Sequence, residues 1–204
     1  PPALVGIFPS GQTDMNLCYG AIPSGPSAAA IAALYSDNCG GPVTVTKSGT
    51  PTGNDCAWSV TYTYTVRDWR SNYVADVPTI TYSGGDQTSP TWTTASGNLD
   101  RTVGCSDAAG RAAAQALVPA ASDNCDLTLT PVKTSGLFVA GLCPQAGTYT
   151  NTWTVSDDCG NAVGSVYTQT ITVDDTTNPT STSAAGRVER TGRCRGAPGL
   201  AAAQ

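Results

Sequence analysis

The sequence contains no histidine, and only 12% of its residues are charged. Without histidine, the chain has no Ser-His-Asp or Cys-His catalytic arrangement and no metal site with histidine ligands. No apolar run reaches the roughly eighteen residues that a membrane-spanning helix needs. The formal net charge of −5 gives no reason to expect nucleic-acid binding. These absences point away from many enzyme, nucleic-acid-binding and membrane classes, and we expect no cofactor.

Cysteine, by contrast, is plentiful, with eight residues in 204. Cysteines at repeating positions in small modules are typical of disulfide-stabilised proteins from an oxidising, extracellular compartment. No signal peptide is visible and Pro1 is not an initiator residue, so we expect a mature or excised segment of a secreted or cell-surface protein.

Residues 147–173 show the clearest secondary-structure signal. Tyr149, Asn151, Trp153 and Val155 alternate with threonines, and a second alternating run follows from 168 to 173. Period-2 alternation of β-branched and aromatic residues predicts half-buried strands, and the Ser-Asp-Asp-Cys-Gly-Asn segment between the runs predicts a turn. The sequence therefore predicts a β-hairpin with Trp153 in the core and a threonine-covered outer face.

The hairpin recurs 89 residues earlier, where Tyr64 takes the place of Trp153. The string SDNC also occurs twice, ending at Cys39 and at Cys125, and the Ala-Ala-Ala-Gln string at 112–115 returns at 201–204. Repetition at the length of a small domain predicts consecutive similar modules. We expect repeat 1 over 1–88, repeat 2 over 89–177, and a partial third repeat or subunit-joining tail over 178–204.

Each repeat also contains an alanine-rich stretch, 27–34 and 106–117, that predicts one short helix. In the second stretch, Ser106 is the expected N-cap and Asp107 the expected first-turn residue. Several short strands with turns between them favour a mainly β fold. We expect tandem immunoglobulin-like β-sandwich domains, each with one helix and stabilised by disulfides.

Strand length limits which cysteines can pair. The strand 148–156 covers about 27 Å at about 3.3 Å per residue, so Cys143 and Cys159 at its two ends cannot reach bonding distance. Following the chain up and down gives three expected bonds: Cys18–Cys56, Cys105–Cys143 and Cys125–Cys159. Cys39 and Cys194 are then left unpaired or free for intermolecular bonds, and pairing of sequential neighbours remains the alternative.

The strings SDNC, TWTVSDDCGN and QTITVDDTTNP resemble hyalin-repeat-like modules with four cysteines, which occur in long microbial surface proteins. The resemblance covers both repeats and the partial third, although Trp69 and Arg70 replace the Asp-Cys pair in the first. It implies an immunoglobulin-type fold and an extracellular, adhesive or fibre-building role. It supplies no catalytic residues.

Other chemistry has little support in the pattern. Adjacent carboxylates on a strand or turn point in different directions, which favours a solvated turn over acid–base catalysis. Asp86, Asp174 and Asp175 are weak candidates for Ca²⁺ ligands, because no spaced acidic loop accompanies them. The cysteines are too widely spaced for zinc, and threonine is an ordinary strand former on an outer face.

Glycans are a second class of partner. The segments 88–96 and 176–183 are rich in Thr, Ser and Pro, which is compatible either with O-glycosylation or with a bare linker. Trp69, Tyr73 and Trp92 are candidates for an exposed carbohydrate-binding patch. The sequence therefore keeps three functions open: a fibre subunit, an adhesin or carbohydrate-binding module, and a non-catalytic region of a secreted enzyme.

The fibre hypothesis assigns a role to the C-terminal residues. Arg187, Arg190, Arg193 and Arg195 are four of the ten basic residues, whereas the preceding chain is acidic. Opposite charges would bring this tail to the body of another copy, head to tail, and so produce an open filament. We expect a homopolymer in which Cys194 pairs across the junction with a cysteine such as Cys39. Truncation of a longer chain is the alternative explanation of the tail.

Overall fold

A computed structural model describes residues 1–175 and divides the chain into two compact units. Unit 1 comprises Pro1–Thr88 together with the short segments Asn124–Asp126 and Asp158–Asn161. The described part of unit 2 comprises Ser89–Asp123, Leu127–Asp157 and residues 162–175. The expected third repeat over 178–204 lies outside the described residues.

Unit 1 is built mainly of β-strands, with one α-helix and a short 3-10 helix. Its described elements, in order, are β1 (Ala3–Leu4), β2 (Met15–Asn16), the 3-10 helix (Tyr19–Ala21), α1 (Ala28–Ala32), β3 (Tyr35–Ser36), β4 (Val43–Ser48), β5 (Thr52–Asn54), β6 (Ala57–Asp68) and β7 (Ile80–Gly85). Ser27 is the N-cap of helix α1, and its hydroxyl oxygen accepts a hydrogen bond from the Ala30 amide at 3.1 Å. This bond satisfies an otherwise unpaired N–H of the first turn.

The main sheet of unit 1 is centred on β6, the longest described strand. It has the order β2-β7-β6-β4, and β5 also pairs with β6. All these pairs are antiparallel except β2 with β7, which is parallel. Strands β1 and β3 form a separate antiparallel pair.

The core of unit 1 follows from the alternation in β6, in which every second residue is buried. The apolar cluster consists of Ile31, Tyr35, Val60, Tyr62, Tyr64, Val66 and Ile80. Burial leaves the tyrosine hydroxyls needing acceptors, and loop carbonyls provide them: Tyr62 donates to Pro23 O at 3.0 Å and Tyr64 to Pro26 O at 2.9 Å. These bonds anchor the segment before α1 to the sheet.

Unit 2 is also built mainly of β-strands, with one α-helix among its described elements. Its described elements are β8 (Thr91–Trp92), β9 (Arg101–Gly104), α2 (Ala108–Gln115), β10 (Ala121–Ser122), β11 (Val132–Thr134), β12 (Val139–Ala140), β13 (Gly147–Thr154) and β14 (Tyr167–Asp174). Helix α2 begins one residue later than expected, because Asp107 rather than Ser106 is the N-cap and accepts from the Gly110 amide at 2.7 Å.

The strands of unit 2 are connected as their counterparts are. The main sheet has the order β9-β14-β13-β11, β12 also pairs with β13, and the β9–β14 pair is parallel. Strands β8 and β10 form the separate antiparallel pair. The threonines of β13 and β14 face one another across the pair, as in Thr150 opposite Thr170. The mainly β fold, with two mixed sheets and few helices, is therefore confirmed.

The interior of unit 2 mixes apolar and polar groups. Its buried apolar residues include Ala114, Trp153, Val155, Tyr167, Ile171 and Val173. Asn151 and Gln169 are also fully buried, and Lys133 extends its ammonium group to the carbonyl and side-chain oxygens of Gln115. Burial lowers the pKa of Lys133, because an interior environment disfavours the charged form.

No helix in the described part of the chain is long and apolar enough to cross a membrane.

Candidate functional site

Two disulfides lie within unit 1, and each joins distant parts of the sequence. Cys18 is bonded to Cys125, with Cα atoms 5.4 Å apart, and Cys56 is bonded to Cys159, with Cα atoms 4.9 Å apart. The second member of each pair belongs to a short segment, 124–126 or 158–161, that the fold places in unit 1. We refer to these two segments as the bonded loops.

The three expected pairings are therefore corrected. Cys18–Cys56 and Cys125–Cys159 are not the bonds present, because each of these cysteines is bonded to a cysteine of the other expected repeat. Cys105–Cys143 is not formed either, since Cys105 is a free thiol and Cys143 is disulfide-bonded elsewhere. Strand length correctly separates the cysteines at opposite strand ends, but it does not determine which repeat supplies the partner.

The elements of unit 1 fix the two cysteines that receive the bonded loops. Cys18 follows β2, and Cys56 lies in the turn between β5 and β6, where the Asn54 side chain accepts from the Cys56 amide at 3.1 Å. Asp55, in the same turn, accepts from the Tyr19 amide at 2.7 Å. These turn bonds hold both sulfur atoms at the same edge of the unit.

Asp86, directly after β7, connects that edge to the bonded loops. Its carboxylate accepts from the Thr88 amide at 3.0 Å and from the Asn124 side chain at 3.3 Å. Its backbone carbonyl accepts from the Asn161 side chain at 3.1 Å. Each bonded loop therefore contributes one asparagine amide to the same residue, next to its disulfide.

One group of possible metal ligands lies entirely within unit 1. Within the described residues of unit 1, the ligand atoms of Cys18, Asp55 and Cys125 lie within 4.8 Å of one another. The two sulfur atoms are bonded to each other, however, so they are not thiolate ligands, and a single carboxylate remains. The weak calcium candidate Asp86 lies in unit 1, whereas Asp174 and Asp175 lie at the end of β14 in unit 2.

A second pair of segments lies in unit 1 and contains the expected counterparts of the two bonded loops. We call residues 37–41 and 69–73 the open face. The first segment contains the free, exposed thiol of Cys39 and is held as a turn by Asp37, which accepts from the Gly40 and Gly41 amides at 3.0 and 3.3 Å. The Trp69 ring lies so close to Gly41 that no Cβ would fit there. The two segments of the open face are therefore neighbours.

The second segment of the open face is a turn organised by Asp68, which is buried. Its carboxylate accepts from the Asn72 side chain at 2.7 Å and from the amides of Arg70 and Asn72 at 2.9 Å. The Asn72 side chain is the main cause that lowers the pKa of Asp68; the backbone N–H bonds act in the same direction and burial opposes them. The turn thus stabilises a carboxylate, and this fixes the position of Trp69 beside it.

The three aromatic candidates have different environments. Trp69 and Tyr73, on the open face, are 54% and 58% exposed, and the Arg70 guanidinium lies 4.2 Å from the Trp69 ring centroid. Trp92, in unit 2, is half-buried and donates its indole N–H to Ser165 O at 2.8 Å. The sequence suggested all three equally, but the two on the open face are the more exposed.

The remaining expected residues divide into described and undescribed ones. Trp153 and Tyr64 are buried, at 1% and 5% exposure. Cys194 and the four arginines at 187, 190, 193 and 195 lie outside the described residues, so their expected role in assembly stays a prediction. The role of Asn124 and Asn161 was not predicted, although each lies within two residues of a cysteine.

Comparison with known families identifies one match. Residues 93–173 match the family described as "HYR-like domain with 4 cysteines", a range that contains Cys105, Cys125, Cys143 and Cys159. A search of curated proteins found no match to this sequence. The family match supports the hyalin-repeat-like resemblance in the second half of the chain and indicates an extracellular surface module.

Proposed function

We propose that this protein is a non-catalytic structural segment of an extracellular fibre, built from tandem disulfide-bonded modules. The main support is the pair of bonds Cys18–Cys125 and Cys56–Cys159, with sequence separations of 107 and 103 residues. Each bond joins parts of the sequence that lie more than one expected repeat apart. Disulfides of this kind persist in oxidising compartments, which is consistent with the extracellular family that residues 93–173 match.

A fibre gains mechanically from this pairing. A disulfide within one module limits how far that module extends when it unfolds. A disulfide between residues more than one expected repeat apart instead keeps those two segments together covalently, even when the intervening chain is stretched. Two such bonds, together with the hydrogen bonds from the Asn124 and Asn161 side chains to Asp86, suit a chain that bears load.

Assembly from end to end is the finer part of the proposal. Copies would join head to tail through the basic C-terminal residues 187–195 and an acidic body, with a net charge of −5 for the whole chain. Such heterologous contacts give an open filament when the rotation between copies does not close into a ring.

Electron microscopy of the intact chain and of a variant lacking residues 187–204 tests this proposal. We expect filaments with an axial repeat from the intact chain and loss of filaments from the shortened one. Filaments of unchanged repeat from the shortened chain would exclude the tail as the joint. The absence of filaments from native material would argue against the fibre function itself.

A carbohydrate-binding function is the second candidate, and the open face favours it over other surfaces. Trp69 and Tyr73 are both more than half exposed, and exposed aromatic rings are the usual stacking surface for sugars. A glycan array probed with the intact chain and with Trp69→Ala tests this candidate. Glycan binding by the intact chain that disappears in the variant would support an adhesin. No glycan binding by the intact chain would contradict this function.

A further inference from the structure

The free thiols of Cys39 and Cys105 occupy the positions that the bonded cysteines Cys125 and Cys18 occupy in the other repeat. Cys125 is the third residue after β10, and Cys39 is the third residue after β3. Both end the string Ser-Asp-Asn-Cys, and both follow the second strand of the small antiparallel pair in their half of the chain. Local structure thus makes Cys39 the counterpart of Cys125.

The same correspondence holds for Cys18 and Cys105. Cys18 is the second residue after β2, which pairs in parallel with β7. Cys105 is the first residue after β9, which pairs in parallel with β14, and its amide donates to Asp174 O at 2.8 Å. Both cysteines are half-buried at the end of their short strand. Cys105 is therefore positioned to form a disulfide with a cysteine that corresponds to Cys125.

The surroundings of Cys39 match those of Cys125 in a second respect. The bonded loops are held to each other, because Asp126 accepts from the Asp158 amide at 3.2 Å. The open face likewise brings its two segments together through Trp69 and Gly41. The two pairs of segments differ in their covalent bonds. The bonded loops carry two disulfides, whereas Cys39, Trp69 and Tyr73 are exposed.

We propose that the open face is an interface for a second copy of this chain, closed by a disulfide between Cys39 of one copy and Cys105 of the other. The observed Cys18–Cys125 bond is the template for this junction. The proposal rests on the fibre function and deepens it by naming the joining residues. Arg70 stands where repeat 2 has Cys159, so the junction has one disulfide, and the rings of Trp69 and Tyr73 supply the remaining contact.

The expected polar contact at this junction also follows from the template. Asn38 corresponds to Asn124, and Asp175 corresponds to Asp86. In unit 1 the Asn124 side chain donates to the Asp86 carboxylate beside the disulfide. The junction between copies therefore brings Asn38 of one chain to Asp175 of the other.

Bond formation requires an oxidant, and a low-molecular-weight disulfide such as oxidised glutathione supplies it. The exposed Cys39 thiolate attacks one sulfur of that disulfide, forming a mixed disulfide and releasing one small thiol. The Cys105 thiolate of the second copy then attacks the Cys39 sulfur and releases the second small thiol. Two protein thiols are oxidised, one small disulfide is reduced, and the two protons leave on the released thiols.

The test is oxidation of the purified chain in a glutathione buffer, followed by non-reducing electrophoresis and peptide mapping. We expect a ladder of dimers and higher polymers that contains a Cys39–Cys105 peptide. Cys39→Ser and Cys105→Ser should each remain monomeric when alone. An equimolar mixture of these variants should give dimers and no longer species, because each chain then contributes one complementary thiol.

Several outcomes would overturn the proposal. Dimers from either single variant alone, at the yield of the mixture, would show unspecific thiol oxidation. A peptide that links Cys39 to Cys194 would assign the junction to the C-terminal residues instead. The absence of any Cys39–Cys105 peptide in the oxidised wild-type chain would also overturn it.

A variant that keeps both thiols but changes a neighbouring side chain distinguishes a specific interface from random collisions between thiols. Trp69→Ala should slow formation of the Cys39–Cys105 bond roughly fivefold or more, because large aromatic rings dominate protein interfaces. Ile7→Ala, which also removes an exposed apolar side chain in unit 1, is the matched control and should leave the rate unchanged. Equal rates for the two variants would count against the interface.

Electron microscopy of the same oxidised samples distinguishes this proposal from the fibre function. A covalent ladder without filaments would support the Cys39–Cys105 junction and contradict the fibre. Filaments formed equally well by the Cys39→Ser/Cys105→Ser chain would support the fibre and overturn the junction.

Discussion

The two units place different chemistry at the same cross-strand position of their main sheets. In unit 1, Tyr62 lies opposite Ile80 on strands β6 and β7. In unit 2, Asn151 lies opposite Gln169 on strands β13 and β14. Both members of the second pair are 89 residues after their counterparts, and all four side chains are buried. One cross-strand position thus holds an apolar pair in one unit and an amide pair in the other.

The amide pair is tolerated because it is fully hydrogen-bonded. Gln169 donates to Leu99 O at 2.7 Å and to Ala114 O at 3.0 Å, and its side-chain oxygen accepts from Asn151 at 2.9 Å. Asn151 also donates to the Gln115 side chain at 2.8 Å and accepts from the Gly136 amide. Buried polar groups are costly only when partners are missing. The comparison shows that strand register persists while the interior chemistry changes.

Removing the largest buried ring should damage unit 2 most. Trp153→Ala should lower the free energy of unfolding by about 3–5 kcal/mol, the usual loss for a buried tryptophan. Urea unfolding followed by circular dichroism measures this change. Thr154→Ala, at the neighbouring exposed position, is the control and should change stability by about 0.5 kcal/mol or less. A loss below about 1 kcal/mol for Trp153→Ala would mean that the ring is not part of the core.

The disulfides provide a comparison between equivalent cysteines. Cys18→Ser/Cys125→Ser should lower the free energy of unfolding by about 2–5 kcal/mol, because an unfolded chain without the cross-link has more conformational entropy. Cys39→Ser/Cys105→Ser, which changes the counterparts that carry free thiols, should be nearly neutral in a monomeric sample. Equal destabilisation of the two double variants would show that Cys39 and Cys105 contribute as much to the stability of the monomer as the Cys18–Cys125 disulfide does.

The amide pair should be sensitive to losing one member. Gln169→Leu keeps much of the volume but leaves the carbonyls of Leu99 and Ala114 and one Asn151 N–H without partners, which should cost roughly 1–3 kcal/mol. Ile80→Leu at the counterpart position should cost less than about 1.5 kcal/mol. Adding Asn151→Leu to Gln169→Leu should cost less than the sum of the single changes, because the two side chains share a bond. Strict additivity would indicate that the network is not cooperative.

The smallest effect concerns the turn of the open face and its response to acid. The pKa of Asp68 is lowered from its ordinary value of 3.8, so the carboxylate stabilises the fold above that value, and this contribution is lost as the pH falls through the lowered pKa. Asn72→Ala removes the main cause of the shift. Its destabilisation should therefore be largest near neutral pH and shrink in acid, as measured by unfolding at several pH values.

Asp68→Asn completes the pH comparison, because it removes the titrating group itself. The difference between this variant and the wild-type chain should also narrow as the pH falls toward the lowered pKa of Asp68. A destabilisation by Asn72→Ala that is independent of pH would indicate that the amide acts through packing alone.

Much of the fold was predictable because it follows from local chemistry. The alternation around Trp153 gives the strand, its buried face and its partner strand, since a period of two assigns side chains to opposite faces. The alanine-rich stretches give the helices within about two residues. That Asp107 and not Ser106 is the N-cap was not predictable, because either side chain can accept a hydrogen bond from a free amide of the first turn.

The candidate site was predictable only in part. The string that ends at Cys39 and Cys125 predicts equivalent positions, and Arg70 stands where the expected second repeat has Cys159. Nothing in the string states that Cys125 bonds to Cys18, because cysteines far apart in sequence are brought together by tertiary contacts alone. The exposure of Trp69 has the same origin, since a turn next to a core strand contains both buried and exposed aromatic residues.

The sequence by itself determined the β-rich architecture and the period of the strands, because these depend on residue type and spacing. Tertiary structure alone decided which repeat supplies each disulfide partner and which thiols stay free. It also decided that Asn151 and Gln169 are satisfied inside unit 2. The physical reason is that bonding distance and hydrogen-bond partners depend on where distant segments meet, and spacing along the chain does not encode that.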